Sequence, residues 1–112
     1  MTQSHDSPNV LQLSLMHYLY VLQSEKDHDF YTGTTSDLKR RLKEHNDGKN
    51  FSTAPRMPFN LIYYEAYILK EDAEAREKYL KTSMGRRVIR KQLKSFLQKI
   101  IHSTRVEQKP VV

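Results

Sequence analysis

Two tyrosines, an arginine, a histidine and a glutamate carry the chemistry this sequence makes available. Tyr20 and Tyr31 stand eleven positions apart, in two runs rich in β-forming residues. A hairpin joining those runs brings both phenols near one surface. Arg41 and His45 are four positions apart and share a helix face. Glu77 is the single acid between Arg76 and Lys99. A phenol, an imidazole, a guanidinium and one carboxylate form a set able to cleave a phosphodiester. The carboxylate can hold one Mg²⁺ or Mn²⁺ that also takes a phosphate oxygen. The guanidinium can offset charge developing on a phosphorane-like transition state. A tyrosine or the histidine can take a proton from water. A free phenol has a pKa of about 10, so a tyrosine base needs cations close by.

Each residue alone has an ordinary explanation. Strand tyrosines usually pack. A helix arginine is usually solvated, and a histidine at a helix end sits comfortably beside the C-terminal dipole. Glu77 and Lys81 can pair four apart along a helix. His5, His17, His28 and His102 are not at metal-ligand spacing and receive no role. Only the joint pattern points to catalysis.

The elements that must position these groups follow from the hydropathy pattern. Residues 17–22 (HYLYVL) read as a strand that can be buried on both faces. A polar turn over 23–29 leads to a second strand from Phe30, which Gly33 ends. Thr34 to Asp37 signals a helix start, with Ser36 or Asp37 as cap. That helix runs to about Asn46, with Leu38 and Leu42 toward the core and Arg41 and His45 on an adjacent face. Residues 48–58, with one glycine and two prolines, form a loop. A third strand spans 59–67, and a second helix runs from Glu71 to about Thr82. Gly85 interrupts, and a third helix runs over 86–101 with an apolar stripe of Val88, Ile89, Leu93, Phe96, Leu97, Ile100 and Ile101. The expected class is α+β, a small, mostly antiparallel three-stranded sheet flanked by helices in the order β-β-α-β-α-α. The expected layout is an N-terminal tail over 1–15, one domain over 16–101 and a C-terminal tail over 102–112.

Composition narrows the partners. The 112 residues include 19 Lys or Arg against 13 Asp or Glu, a net charge of +6, and no cysteine. One small domain fits this length. A thiol nucleophile, a disulfide framework and a cysteine-ligated zinc are excluded. A cytoplasmic address is the simplest reading, and no signal peptide or run long enough to span a membrane is visible. Nine Lys or Arg face one acid between Arg76 and Lys99, a local balance of +8. Lys39, Arg40, Arg41 and Lys43 add a second basic region. Two such regions point to a phosphate-binding face, with nucleic acid ahead of an anionic membrane or an acidic protein partner.

At these residues the sequence resembles the GIY-YIG nuclease family, in its small stand-alone type, similar to the nuclease domain of the excision-repair protein UvrC. The first element appears as Tyr18-Leu19-Tyr20 and the second as Tyr31-Thr32-Gly33. The family's helix pattern follows as Thr35, Leu38, Arg41, Leu42, His45 and Asn46, and its metal-ligand glutamate matches Glu77. Thr34 stands where the repair nuclease has a lysine, and Ile89 lies near the place of a late asparagine. The resemblance implies a DNA endonuclease using one Mg²⁺ or Mn²⁺ and leaving 5′-phosphate and 3′-hydroxyl ends, in repair or processing. By position, Tyr20 or Tyr31 is the general base, Arg41 the catalytic arginine, His45 a neighbour of the attacking water and Glu77 the metal ligand. Gly33 permits close approach, and Lys39, Arg40, Lys43, Arg86 and Arg87 are the expected DNA contacts. So small a domain is expected to select DNA structure over sequence, to act as a monomer and to need no obligate protein partner. The alternative expectation is a nucleic-acid-binding module of the same fold with little or no turnover.

Overall fold

The computed structural model describes residues 15–100, so the expected tails over 1–15 and 102–112 lie outside them apart from Leu15. The chain has one break in compactness, after Lys78. The first unit holds β1 (His17–Ser24), β2 (Phe30–Thr35), α1 (Leu38–Asn46), a short 3₁₀ turn (Ala54–Arg56), β3 (Phe59–Tyr67) and most of α2 (Lys70–Leu80). The second holds the end of α2, then α3 (Ser83–Gln92) and a helical stretch over 94–100. The element order agrees with the expected α+β fold, and all strand pairings are antiparallel.

The sheet order is β2-β1-β3. The central strand is the one whose pattern is apolar on both faces, and Leu19, Tyr20, Val21 and Leu22 are all at most 2% exposed. Tyr20 pairs with Gly33, and Leu22 with Tyr31, across the β1–β2 ladder. Paired residues point to the same face, so Tyr20 and Tyr31 are diagonal neighbours there. On that face Tyr20, Leu22 and Phe59 form the buried core, with Tyr31, Leu38, Leu42 and Leu61 packed against it.

Gly33 does not end β2, which continues to Thr35. Its missing side chain serves the neighbouring strand: a Cβ there would lie 2.5 Å from the Tyr20 hydroxyl. Asp37 caps α1 by accepting from the Arg40 backbone N–H. At the far end Asn46 pins the helix to β3, accepting from the Phe59 N–H at 2.6 Å and donating to the Phe59 carbonyl at 3.0 Å.

In the second unit the expected third helix is displaced and divided. Thr82 caps α3 by accepting from the Gly85 N–H, so Gly85 lies inside the first turn and does not break it. A Cβ at Gly85 would collide with the Tyr79 carbonyl oxygen, which explains a glycine in a helix. The helix stops at Leu93, and helix resumes over 94–100. Val88, assigned to the apolar stripe by periodicity, is 37% exposed, while Ile89 is 3% exposed.

Candidate active site

Tyr20 projects from the middle of β1 toward α1 and is 2% exposed. Its hydroxyl lies 2.9 Å from His45 Nε2 and accepts from Arg41 Nε at 3.3 Å. The one-turn spacing of Arg41 and His45 along α1 lets both reach the same phenol. Tyr31 completes the aromatic wall, its ring centroid 5.0 Å from that of His45 and 6.4 Å from that of Tyr20. Phe59 closes the other side of the imidazole at 5.9 Å. Thus four of the five expected catalytic side chains meet around one hydroxyl, and Gly33 provides the space in which that hydroxyl sits.

Glu77 reaches this cluster electrostatically. Its charge is among those that raise the Tyr20 pKa. It sits on the α2 stripe that begins with Lys70 and continues through Ala73 and Glu74, at intervals of three and four residues. Those three residues help line a cleft of about 450 Å³, together with Thr34 and Thr35 at the end of β2, Ser36 just after it, and Arg40, Arg41 and Glu44 from α1. Arg41 therefore joins the buried phenol to the open cleft.

Burial raises the Tyr20 pKa, opposed by the hydrogen bond and the charge of Arg41. The phenol is therefore protonated at rest. Burial lowers the His45 pKa, and Arg41 lowers it further against the opposing pull of Glu44. The imidazole is neutral, even though a helix C-terminus favours a cation. Arg41 stays charged, its pKa raised first by the Tyr20 hydrogen bond and also by the 3.1 Å contact with Glu44.

The expected DNA contacts are distributed differently. Lys39, Arg40 and Lys43 lie on the exposed side of α1. Lys43 bonds Asp47 at 2.5 Å, and Arg40 approaches Glu44 at 3.9 Å. Arg86 and Arg87 are exposed in the first half of α3, in the second unit. Arg76, counted in the basic run, is held by Glu65.

Two features had no place in the sequence reading. Glu44 anchors Arg41 from three residues away, a spacing that could have signalled it. Thr53, 1% exposed, meets His45 Nδ1 at 2.8 Å. It lies in an irregular loop whose path no periodicity announces.

A sequence model for the GIY-YIG catalytic domain matches residues 16–92. A UPF0213 protein of Clostridium perfringens is 42% identical over 67 residues, 59% of this chain and 71% of that one. A UPF0213 protein of Streptococcus pyogenes is 46% identical over 65 residues, covering 57% and 70%. The solution NMR structure of a UPF0213 protein from Bacillus halodurans covers 72% of this chain and 84% of its own, at 38% identity and a TM-score of 0.43.

Proposed function

Because the chain belongs to the GIY-YIG catalytic domain family, whose function is of nuclease type, we propose that it is a metal-dependent DNA endonuclease acting on branched, flapped or single-stranded DNA in repair or processing. The observation that carries this reading is the Tyr20 hydroxyl, held between a neutral imidazole and a guanidinium that also lines the cleft. Tyr20 is the general base toward water. Arg41 offsets charge on the phosphoryl oxygens as the nucleophile arrives. Tyr31 excludes solvent beside His45 and orients the imidazole by edge contact. The products are 5′-phosphate and 3′-hydroxyl ends.

Glu77 is the carboxylate that would hold one divalent ion. Mg²⁺ commonly takes one or two carboxylates, keeps several waters and completes its shell with substrate phosphate. Among the described residues no group of three or more His, Asp or Glu could enclose an ion by itself. When bound, such an ion draws charge from a phosphate oxygen and acidifies a coordinated water. Lys39 and Arg40 on α1 supply backbone contacts that carry no sequence choice, and Arg86 and Arg87 are the candidates for such contacts on α3. Among the described residues no helix is long and apolar enough to cross a membrane.

The test is cleavage of linear, nicked, flapped and branched DNA with and without Mg²⁺. Glu77→Ala and Arg41→Ala are expected to abolish Mg²⁺-dependent cutting while circular dichroism stays native. Wild-type rates in both variants would overturn the assignment. Binding that persists in EDTA, with no cutting of any substrate in Mn²⁺, identifies a binding module instead.

A further inference from the structure

The hydrogen bonds around His45 form a chain whose direction is set from the Arg41 end. At one end is Arg41, whose guanidinium has only donors. Its Nε–H goes to the Tyr20 oxygen at 3.3 Å. Tyr20's own proton therefore needs an acceptor, and His45 Nε2, at 2.9 Å, is the partner placed to take it. At the other end the Thr53 hydroxyl faces the Asn50 carbonyl, which only accepts, in a long contact of 3.4 Å. With Tyr20 donating to Nε2, the neutral imidazole carries its proton on Nδ1, and the Thr53 oxygen at 2.8 Å accepts it. The sequence of donations is Arg41 to Tyr20 to His45 Nε2, then His45 Nδ1 to Thr53 to Asn50. Only the imidazole tautomer with its proton on Nδ1 satisfies both halves.

Thr53 occupies a position where it has another ordinary use. It stands at the N-cap of the 3₁₀ turn Ala54–Arg56, yet its side chain makes no capping bond there. Its hydroxyl is diverted to the imidazole. The surrounding turn holds it in place: Thr53 N–H and Ala54 N–H both donate to the Asn50 carbonyl, and Ser52 N–H donates to Asn50 Oδ1. His45 and Thr53 are 0% and 1% exposed, so no bulk water competes for either nitrogen.

We infer that Thr53 is a positioning residue that locks His45 in its Nδ1–H tautomer, making Nε2 the acceptor for the Tyr20 proton. Its catalytic consequence rests on the nuclease reading. With Tyr20's proton turned into His45, one phenol lone pair faces Arg41 and the other remains for the attacking water. As water gives a proton to the Tyr20 oxygen, Tyr20 passes its own to Nε2. Hydroxide forms on one side and imidazolium on the other, and no net proton is gained or lost. With the opposite tautomer His45 and Arg41 would both donate to Tyr20. The phenol proton would then point at the water and repel the exchange. The charged or titratable groups around this pair are Tyr31 from β2, Arg41 and Glu44 from α1, and Glu77 from α2. The neutral resting state of His45, a product of burial, leaves Nε2 able to receive the proton.

The experiment is ¹⁵N NMR of the imidazole nitrogens in metal-free, DNA-free protein, with cleavage kinetics alongside. Wild type is expected to show a protonated Nδ1 and a bare Nε2. Thr53→Val removes the acceptor at Nδ1 and is expected to move the proton to Nε2, while Thr53→Ser keeps it on Nδ1. In cleavage, Thr53→Val is expected to lower kcat about 100-fold at unchanged KM, and Thr53→Ser to restore it. Where the valine disturbs folding, Thr53→Ala carries the same readout. A wild-type proton on Nε2, or an unmoved proton in Thr53→Val or Thr53→Ala, overturns the inference and leaves the nuclease reading untouched. A wild type that cuts no DNA overturns that reading and leaves the tautomer result standing.

Discussion

On the α1 side of the sheet the Tyr20 hydroxyl meets an imidazole at 2.9 Å and a guanidinium at 3.3 Å. On the other face Tyr63 and Tyr67 donate to the two oxygens of Glu65, each at 2.5 Å, and Arg76 Nε spans both at 3.1 and 3.2 Å. The residue types are nearly the same, two tyrosines and an arginine on each face. What differs is the third group. A carboxylate against a phenol holds its proton in place, and Tyr67 is pushed up to about 12 by burial and then by the Glu65 hydrogen bond and charge. A neutral imidazole against a phenol can receive the proton, and a guanidinium beside them stabilises what is left behind. The Glu65 face is a structural knot, and the Tyr20 face is the proposed site. The carboxylate proposed for the site, Glu77, lies on α2, and its charge is the last and smallest of the influences that raise the Tyr20 pKa.

The largest effect that can break this comparison is on rate. Tyr20→Phe removes the hydroxyl but keeps the ring in the core. It is expected to lower kcat about 10³-fold, the usual contribution of a general base. Tyr67→Phe, on the other face, is expected to leave single-turnover cleavage unchanged. Equal losses in the two variants would show that both faces act in the reaction.

The first face was largely legible from the sequence because its geometry is local. A strand pair sets Tyr20 beside Tyr31 and Gly33, and one helical turn sets Arg41 beside His45. The meaning of Gly33 was less accessible. Glycine signalled the end of a strand, yet its role is to leave space for a ring on the adjacent strand. Half of the second face was visible, since Tyr63, Glu65 and Tyr67 alternate along β3 and share a face. Their union with Arg76 was not, because that pair lies eleven positions apart, across a strand end, a turn and part of a helix. Thr53 was hidden for a related reason: its place follows from the turn around Asn50, and turn geometry leaves no period to read. In the second unit, a glycine required by the Tyr79 carbonyl looked like a helix breaker.

Stability sharpens the comparison next. Arg76→Ala leaves the Glu65 carboxylate, with its side chain 18% exposed, without its cation. Breaking a fully buried pair costs about 3 to 5 kcal/mol. Arg76 is itself 26% exposed, so solvent screening reduces the expected cost to about 2 kcal/mol. Urea midpoints measure it. Glu65→Gln in the same background is expected to recover part of the loss, because the uncompensated charge is gone. Cleavage per folded molecule is expected to stay at the wild-type rate. An additive double variant would mean that the ion pair adds nothing to the knot.

The two faces also titrate in different pH windows, with the same sign. His45 has a folded pKa below its unfolded value, from burial first and Arg41 second. Its neutral form is stable in the fold above about pH 6.5, and that contribution falls away as pH drops from there through the lowered folded value. Glu65 is pushed up by burial, but Tyr63, Tyr67 and Arg76 outweigh this and hold it low. Its contribution is complete above the ordinary carboxylate range and is lost as pH falls below about 4.5 toward the lowered folded value. Unfolding free energy followed by urea from pH 7.5 to 3.5 is therefore expected to decline in two stages. His45→Gln flattens only the upper stage and Glu65→Gln only the lower. A single stage removed by either substitution would join the two faces into one titrating network.

The smallest effect concerns charge available to a ligand. Lys39 is exposed on α1 and makes no ion pair among the described residues. Lys43 is already matched by Asp47 at 2.5 Å, and Arg76 by Glu65 at 3.1 Å. A phosphate contact releases counterions only where the protein cation is not already neutralised from within. Lys39→Ala is accordingly expected to reduce the slope of log binding constant against log salt by about 0.9 on duplex DNA, or about 0.7 on a single strand. Arg76→Ala is expected to leave the slope unchanged although it costs far more stability. Fluorescence anisotropy across a salt series in EDTA measures both without turnover. A slope that moves with Arg76 and not with Lys39 would place the DNA on the Glu65 side of the sheet, and the assignment of knot and site would have to be exchanged.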